Sequence, residues 1–218
     1  NGYKKVKSAQ IGRLNKDKTG FESSEIIECD CICVSGFWTP TVHLASQSGN
    51  KLKFNDQIDA FVPDKAKQNE TSIGASKGTF TLQKTLDEGF KTGFEVSKNL
   101  TNNDVSIPTP NSNEPKKNVH DKFWCSPLPE GKNYKRFVDF QNDVAVSDIE
   151  VALREGYRSI EHVKRYTTLG MATDQGRTSN LNGLQLVANV EKKIVPQVGH
   201  TTFRPPFTPI TIGTIVGR

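Results

Sequence analysis

Hydrophobic and polar positions alternate in short runs along the first hundred residues. Val6 to Leu14 and Glu25 to Val34 have the two-residue period of strands, with the charged turn "NKDKTG" between them. The apolar runs "KLKFN" and "DAFVPD" follow. In "SIGASKGTFTLQKTLDEGF" a turn holding Gly74 and Gly78 leads into a helix of about four turns, with Leu82, Leu86 and Phe90 near one face. Val105 to Asn118 carries three prolines among polar residues and reads as a linker. "FWCSPLPEGKNYKRFVDFQNDVAVSD" is extended, and three helices follow. The first, Ser147 to Glu155, has Ser147 as N-cap, Glu150 at the capping-box position and Gly156 beyond its end. The second, Ser159 to Thr168, starts on Ser159 and stops near Gly170. The third spans Thr178 to Glu191, and the proline-bearing "TTFRPPFTP" is an extended connector.

The 218-residue chain has a net charge of +5 and a pI of about 9.0. Its lysines are dispersed among acidic residues, and no recognition helix, zinc finger or aromatic RNA-binding motif accompanies them, so nucleic acid is not an expected partner. No run of about 18 apolar residues is present, so no membrane span is expected. Strand-like patterning at both ends suggests a fragment of a longer polypeptide. Cys29, Cys31 and Cys33 alternate within "ECDCICVSG". Thiolates strung along one strand at ~6.6 Å steps cannot converge on one zinc, and i, i+2 neighbours are poorly placed for a disulfide. They are expected to be buried, reduced and metal-free, which suits a reducing, cytoplasmic setting.

Candidate chemistry is sparse. His43, His120, His162 and His200 show no zinc spacing, and no Ser-His-Asp order or paired-carboxylate motif stands out. No catalytic residue and no metal ligand is assigned. Two glycine-bearing loops have the shape that turns a helix start toward a phosphate. In "IGASKGTF", Gly74 and Ala75 are small enough for a phosphate to lie against the backbone. Gly78 frees the turn, and Thr79, Phe80 and Leu82 flank it. An ordinary strand-to-helix turn has the same pattern. In "HVKRYTTLGMATDQGRTSN", Lys164, Arg165, Gln175, Gly176, Arg177 and Thr178 could receive an anion or form an interface. Lys164 and Arg165 equally suit a helix C-terminus as solvated cations.

Two stretches carry a family resemblance. "SGFWTPTVHLASQSGNKLKFN…AFVP" with "GASKGTFTLQKTLDEG" resembles the later part of a dinucleotide-binding domain of amino-acid oxidoreductases. "FVDFQNDVAVSDIEVALREGYRSIEHVKRYTTLGMATDQGRTSNLNGL" with "TTFRPPFTP" resembles the alpha subunit of heterotetrameric sarcosine oxidase. The resemblance implies an α/β fold: the C-terminal part of a dinucleotide-binding, glutathione-reductase-like domain (1–104), a linker and extended segment (105–135), a small helical module like bacterioferritin-associated ferredoxin (136–192), and a connector (193–218) to a folate-binding aminomethyltransferase domain. It implies a flavin-dependent oxidoreductase acting on CH–NH donors, which demethylates sarcosine to glycine and forms hydrogen peroxide and methylene-tetrahydrofolate. The implied partners are beta, gamma and delta subunits. The implied cofactors are NAD, at Gly74, Ala75, Gly78, Thr79, Phe80 and Leu82, and FMN at a subunit boundary near the 164–178 loop. FAD and tetrahydrofolate would lie elsewhere in the complex.

The ferredoxin module's [2Fe–2S] ligand positions fall on Asp139, Gln141, Asp174 and Ser179, none a cysteine, so the scaffold is expected without the cluster. Two other readings remain. One is an interaction module that binds no cofactor. The other is a related dimethylglycine, opine or cyanide-forming amino-acid dehydrogenase, against which the missing cysteines argue. The isolated fragment is expected to be inactive.

Overall fold

The computed structural model describes residues 2–36, 38–101, 111–113, 123–128, 131 and 133–216. Most of the expected linker 105–118 lies outside these residues. The chain divides into two compact units, Asn1–Phe37 with Phe123–Arg136, and Trp38–Lys122 with Phe137–Arg218. One edge of this division, between Arg136 and Phe137, lies beside the expected start of the helical module at 136, whereas the edge between 37 and 38 falls inside the expected 1–104 domain. Residues 38–101 pack into one unit with the helices after 137, through contacts such as Phe61 against His200.

The first unit contains an antiparallel hairpin of β1 (Ser8–Leu14) and β2 (Phe21–Glu28), in register from Ser8↔Glu28 to Leu14↔Phe21. Asn15 closes its turn, with Oδ1 accepting the Thr19 N–H at 2.9 Å and the Gly20 N–H at 3.3 Å. The second strand starts and ends earlier than its hydrophobic run suggests. β1 begins at Ser8, so its partner runs out at Glu28, and only the Cys29 N–H bond to Lys7 O continues the ladder. The cysteine segment therefore lies beyond the sheet. All four cysteines are free; Cys31 and Cys33 are exposed and Cys29 is half-buried, which corrects the buried-strand expectation made for these three.

In the second unit, α1 (His43–Gln47) precedes a hairpin of β3 (Leu52–Asn55) and β4 (Ala60–Pro63), paired Leu52↔Pro63 to Asn55↔Ala60. A 3-10 turn, Gly74–Lys77, then leads to α2 (Leu82–Thr101). At 20 residues α2 is longer than expected, and none of its side chains is fully buried.

β5 (Phe137–Asp139) and β6 (Val144–Ala145) form a small antiparallel pair that launches α3 (Val146–Arg154). Because β6 is already paired, the helix starts one residue before the expected Ser147 cap. Asp148, not Glu150, supplies the reciprocal bond, accepting the Ala145 N–H at 2.8 Å. α4 (Ile160–Thr167) starts after Ser159 as expected and ends on Thr168 in the left-handed region, φ 65°. α5 (Asn180–Glu191), α6 (Val195–Val198) and α7 (Ile212–Ile215) complete the unit.

The core gathers Val144, Ile149, Ala152, Leu153, Ile160, Val163, Leu169, Leu184 and Val187, all buried. Each large aliphatic side chain removed from water contributes about 1.5–3 kcal/mol. Gly183, mid-helix in α5, is required by this packing, since a Cβ there would meet Leu169 Cδ2 at 2.4 Å. Arg158 pairs with Glu191 and ties the start of α4 to the end of α5. Among the described residues, no helix is long and apolar enough to cross a membrane.

Candidate ligand-binding sites

The 73–82 turn is filled from within. Gly74 adopts φ 60° and is buried, and its N–H donates to Glu88 Oε2 at 2.8 Å. The Thr79 hydroxyl donates to Glu88 Oε1 at 2.8 Å. Burial works to raise the Glu88 carboxyl, but these two hydrogen bonds and the nearby Lys77 outweigh it and hold the group below its ordinary value. Gly78 is needed for a different contact than expected. At φ 92°, a Cβ there would meet Ile58 Cδ1 at 2.6 Å and Val62 Cγ1 at 3.3 Å. The two glycines thus face protein, and the site for an anion at this turn already holds Glu88. Phe80 packs its ring 6.3 Å from that of Trp38, while Ala75 and Leu82 stay exposed.

The 170–179 loop is built the same way around Asp174. Its carboxylate accepts the Gly176 N–H at 3.0 Å, the Thr178 N–H at 3.3 Å and the Thr178 hydroxyl at 2.8 Å. Burial pushes the Asp174 carboxyl up, but these bonds and Arg177 pull it below its ordinary value. Gly176 and Thr178 are therefore engaged within the loop itself. Arg177 donates to Asp174 O and Phe207 O and lies 4.3 Å over the Phe207 ring.

Lys164, Arg165 and Gln175 do come together, around a pocket of about 370 Å³ that also takes in Glu161, Gly170, Met171, Phe203 and Arg204. Arg204 lies in the proline-bearing tail, outside the residues the sequence pointed to. Its signal is an arginine fixed among prolines, in a segment that docks through Gln175 Nε2 to Pro206 O at 2.7 Å. Burial lowers the Lys164 ammonium. Glu161 opposes that shift, Arg204 and Arg165 add to it, and the net direction is down. Glu161 is itself engaged by the Thr202 N–H at 2.6 Å. Among the described residues, no carboxylate lies within ion-pair distance of Lys164, Arg165 or Arg204. Three cations facing a single, already bonded carboxylate leave a net positive pocket that can receive an anion.

The four positions aligned with cluster ligands carry a hydrogen-bond network. Asp139 is buried, and its Oδ1 accepts the N–H groups of Gln141 at 2.9 Å and Asn142 at 3.3 Å. Its Oδ2 accepts the Gly170 N–H at 2.8 Å and the Ser179 hydroxyl at 3.4 Å. Gln141 Oε1 in turn accepts the Thr173 hydroxyl and the Asp174 N–H. Among the described residues, no three His, Cys, Asp or Glu side chains form a group that could hold a metal ion.

This architecture has relatives. Residues 133–218 match the family described as the sarcosine oxidase A3 domain. The chain is 36% identical over 198 residues to the sarcosine oxidase subunit alpha of Rhizobium meliloti (strain 1021), a match covering 89% of this chain and 20% of the relative. It is 35% identical to those of Corynebacterium sp. strains P-1 and U-96, with 95% and 97% of this chain and 22% of each relative covered. The chain is a relative of the sarcosine oxidase alpha subunits. It spans about a fifth of their length. The crystal structure of L-proline dehydrogenase from P. horikoshii superposes with a TM-score of 0.68 at 18% identity, over 100% of this chain and 43% of that one. That likeness places the chain in a mixed α/β fold.

Proposed function

We propose that this chain is an internal segment of the alpha subunit of a heterotetrameric sarcosine oxidase. In that enzyme, sarcosine is demethylated to glycine with formation of hydrogen peroxide and methylene-tetrahydrofolate, in a cytoplasmic complex with beta, gamma and delta subunits. The observation that carries the reading is the 35–36% identity sustained along 89–97% of the chain. Within it, we assign residues 38–101 to the later part of a dinucleotide-binding domain and 136–192 to a ferredoxin-like module in which hydrogen bonds replace a cluster.

For NAD, Gly74 and Gly78 do not fit the close-approach role, because Glu88 occupies the Gly74 amide and Ile58 closes over Gly78. The turn instead has a supporting part. It fixes the start of α2 and offers the exposed side of Ala75 and Leu82 to a cofactor held by the longer polypeptide. For FMN the fit is better. Lys164, Arg165 and Arg204 would hold its phosphate, with Gln175 at the rim of the same pocket. FMN, when bound, supplies the electron acceptance. This chain's residues supply charge and position only, and no catalytic residue is assigned among them.

The test uses the full-length protein with its partner subunits. We expect sarcosine-dependent peroxide formation, NAD and flavins released on denaturation, and lower FMN content in Lys164→Ala. Absence of sarcosine turnover would overturn the enzyme assignment. Turnover with full FMN in Lys164→Ala would overturn only the pocket's role. A stable complex with no bound NAD or flavin would favour an interaction module.

A further inference from the structure

A second cavity, of about 70 Å³, lies between α1, the β3–β4 hairpin, α5 and the docked tail. Its walls are mainly apolar, including Leu52, Ala60 and Leu184. Arg177 also lines it, the one always-charged side chain among the described residues that do. An apolar cavity with a single charged group fixes a ligand by its polar end.

Arg177 is only partly spent. A guanidinium carries five N–H donors. Here Nη1 donates to Asp174 O at 3.2 Å and Nη2 to Phe207 O, both of them neutral backbone carbonyls. Two of the five donors are thus used, and three have no acceptor among the described residues. No carboxylate among the described residues lies within ion-pair distance of Arg177. Asp174 is the nearby acid, and its carboxylate is taken by the Gly176 N–H, the Thr178 N–H and the Thr178 hydroxyl. The Phe207 ring, 4.3 Å from the guanidinium carbon, covers one face of the group. The charge is half-buried, held in place by carbonyls and not paired.

Charge narrows the class. An unpaired, half-buried guanidinium favours an anionic guest, and its planar fork of donors matches a carboxylate. A cationic group on the same guest is disfavoured. Burial lowers the His43 imidazole in the cavity wall. The bond to Gln175 and the Asp174 carboxylate oppose that shift, and Arg177 and Lys164 reinforce it. An ammonium beside His43 would meet the same two cations. Size narrows the class further. A water needs roughly 10–15 Å³ of such space, and an apolar cavity of roughly 150 Å³ holds benzene. The 70 Å³ here suits a short aliphatic chain against the apolar walls.

We infer that this cavity is a binding site for a small aliphatic monocarboxylate. Its carboxylate accepts from the unspent N–H groups of Arg177, and its short tail rests on Leu52, Ala60 and Leu184. No bond is made or broken in this binding. Phe203 borders both this cavity and the cationic pocket, but the site uses none of Lys164, Arg165 and Arg204. Its test does not depend on sarcosine turnover or on either cofactor.

The probes are propionate, propionamide and alanine, which share one carbon skeleton and differ in charge. Saturation-transfer NMR on the full-length protein should give a saturable propionate signal. Propionamide, which lacks the charge, and alanine, which adds an ammonium, should bind more weakly by about tenfold or more. Saturating inorganic phosphate, the probe for the cationic pocket, should not displace propionate. Arg177→Gln removes the charge and should erase the preference for propionate over propionamide. Ala60→Leu fills the apolar end, leaves Arg177 in place and should weaken propionate about tenfold. It decides the same question if the Arg177 variant, whose tail contact is also lost, does not fold. Propionate bound no better than either other probe, no saturable propionate signal, displacement by phosphate, or propionate binding undiminished in whichever variant folds would overturn the inference.

Discussion

The glycine turn at 73–82 and the loop at 164–179 share one sequence logic, small residues beside a helix start, yet they end in opposite electrostatic states. The turn is closed by Glu88, whose carboxylate takes the Gly74 N–H and the Thr79 hydroxyl. The loop closes its own amides on Asp174 but leaves Lys164, Arg165 and Arg204 around an open pocket with a net positive charge. A glycine pattern reports the shape of the backbone and not who occupies its donors. Occupancy is decided by a carboxylate brought in from elsewhere: Glu88 lies 14 residues from Gly74, a full helix start away.

The largest effect should come from removing the carboxylate that holds the loop to the strands. Asp139→Ala leaves the Gly170 and Ser179 donors unpaired in a buried site. It is expected to cost about 3 kcal/mol, since each unsatisfied buried donor costs ~1–3 kcal/mol. Urea denaturation of the full-length protein measures it. A midpoint within error of wild type would show that the network is dispensable.

Gly78→Val asks whether the turn serves packing or ligand. Positive φ and the contact with Ile58 lead us to expect a loss of about 2 kcal/mol. If the full-length protein holds the proposed NAD, its content should fall only in proportion to the unfolded fraction. A normally stable variant stripped of NAD would return Gly78 to the ligand.

Next in size is the contrast between the two anion sites. Arg204→Ala should weaken inorganic phosphate binding about tenfold, in the range of charged hydrogen bonds to an anion. Glu88→Gln removes a charge from the turn and should leave that binding unchanged. Isothermal titration of both variants decides it, and equal effects would mean that phosphate does not choose the cationic pocket.

The smallest effect is pH dependence. Glu88 and Asp174 have lowered values in the fold, so their contribution is present above the ordinary carboxylate range of about 4 and lost as pH falls below it. His43 is also lowered, so its share is complete above about 6.5 and lost as pH drops below that. Unfolding midpoints at pH 7, 5.5 and 3.5 should decline in two steps. His43→Phe should remove the first, and an unchanged slope between pH 7 and 5.5 would acquit His43.

Local signals were legible in the sequence where local groups decide the outcome. The Asn15–Gly20 turn closes on the Asn15 side chain, and α4 starts after Ser159, whose extended backbone and carbonyl begin the helix although its hydroxyl does not cap it. The mixed α/β class was also legible, through family resemblance. What escaped was decided by pairing at a distance. Asp148 displaced Glu150 because β6 had already fixed the start of α3. The cysteines lost their strand because β1 supplies no partner beyond Ser8. Arg204 reached Lys164 only because the tail docks through Gln175 and Arg177. No hydrophobic period encodes those meetings.

That displaced cysteine segment carries a consequence of its own. Thiols sealed in a core are shielded from oxidants by the fold, whereas Cys31 and Cys33 meet solvent directly. Their chemical state is set by the surrounding redox poise rather than by folding. A dissolved oxidant would reach them before any buried group. Thiol oxidation would therefore begin at this edge of the first unit, while the core around Ile149 and Val187 is aliphatic and offers no thiol.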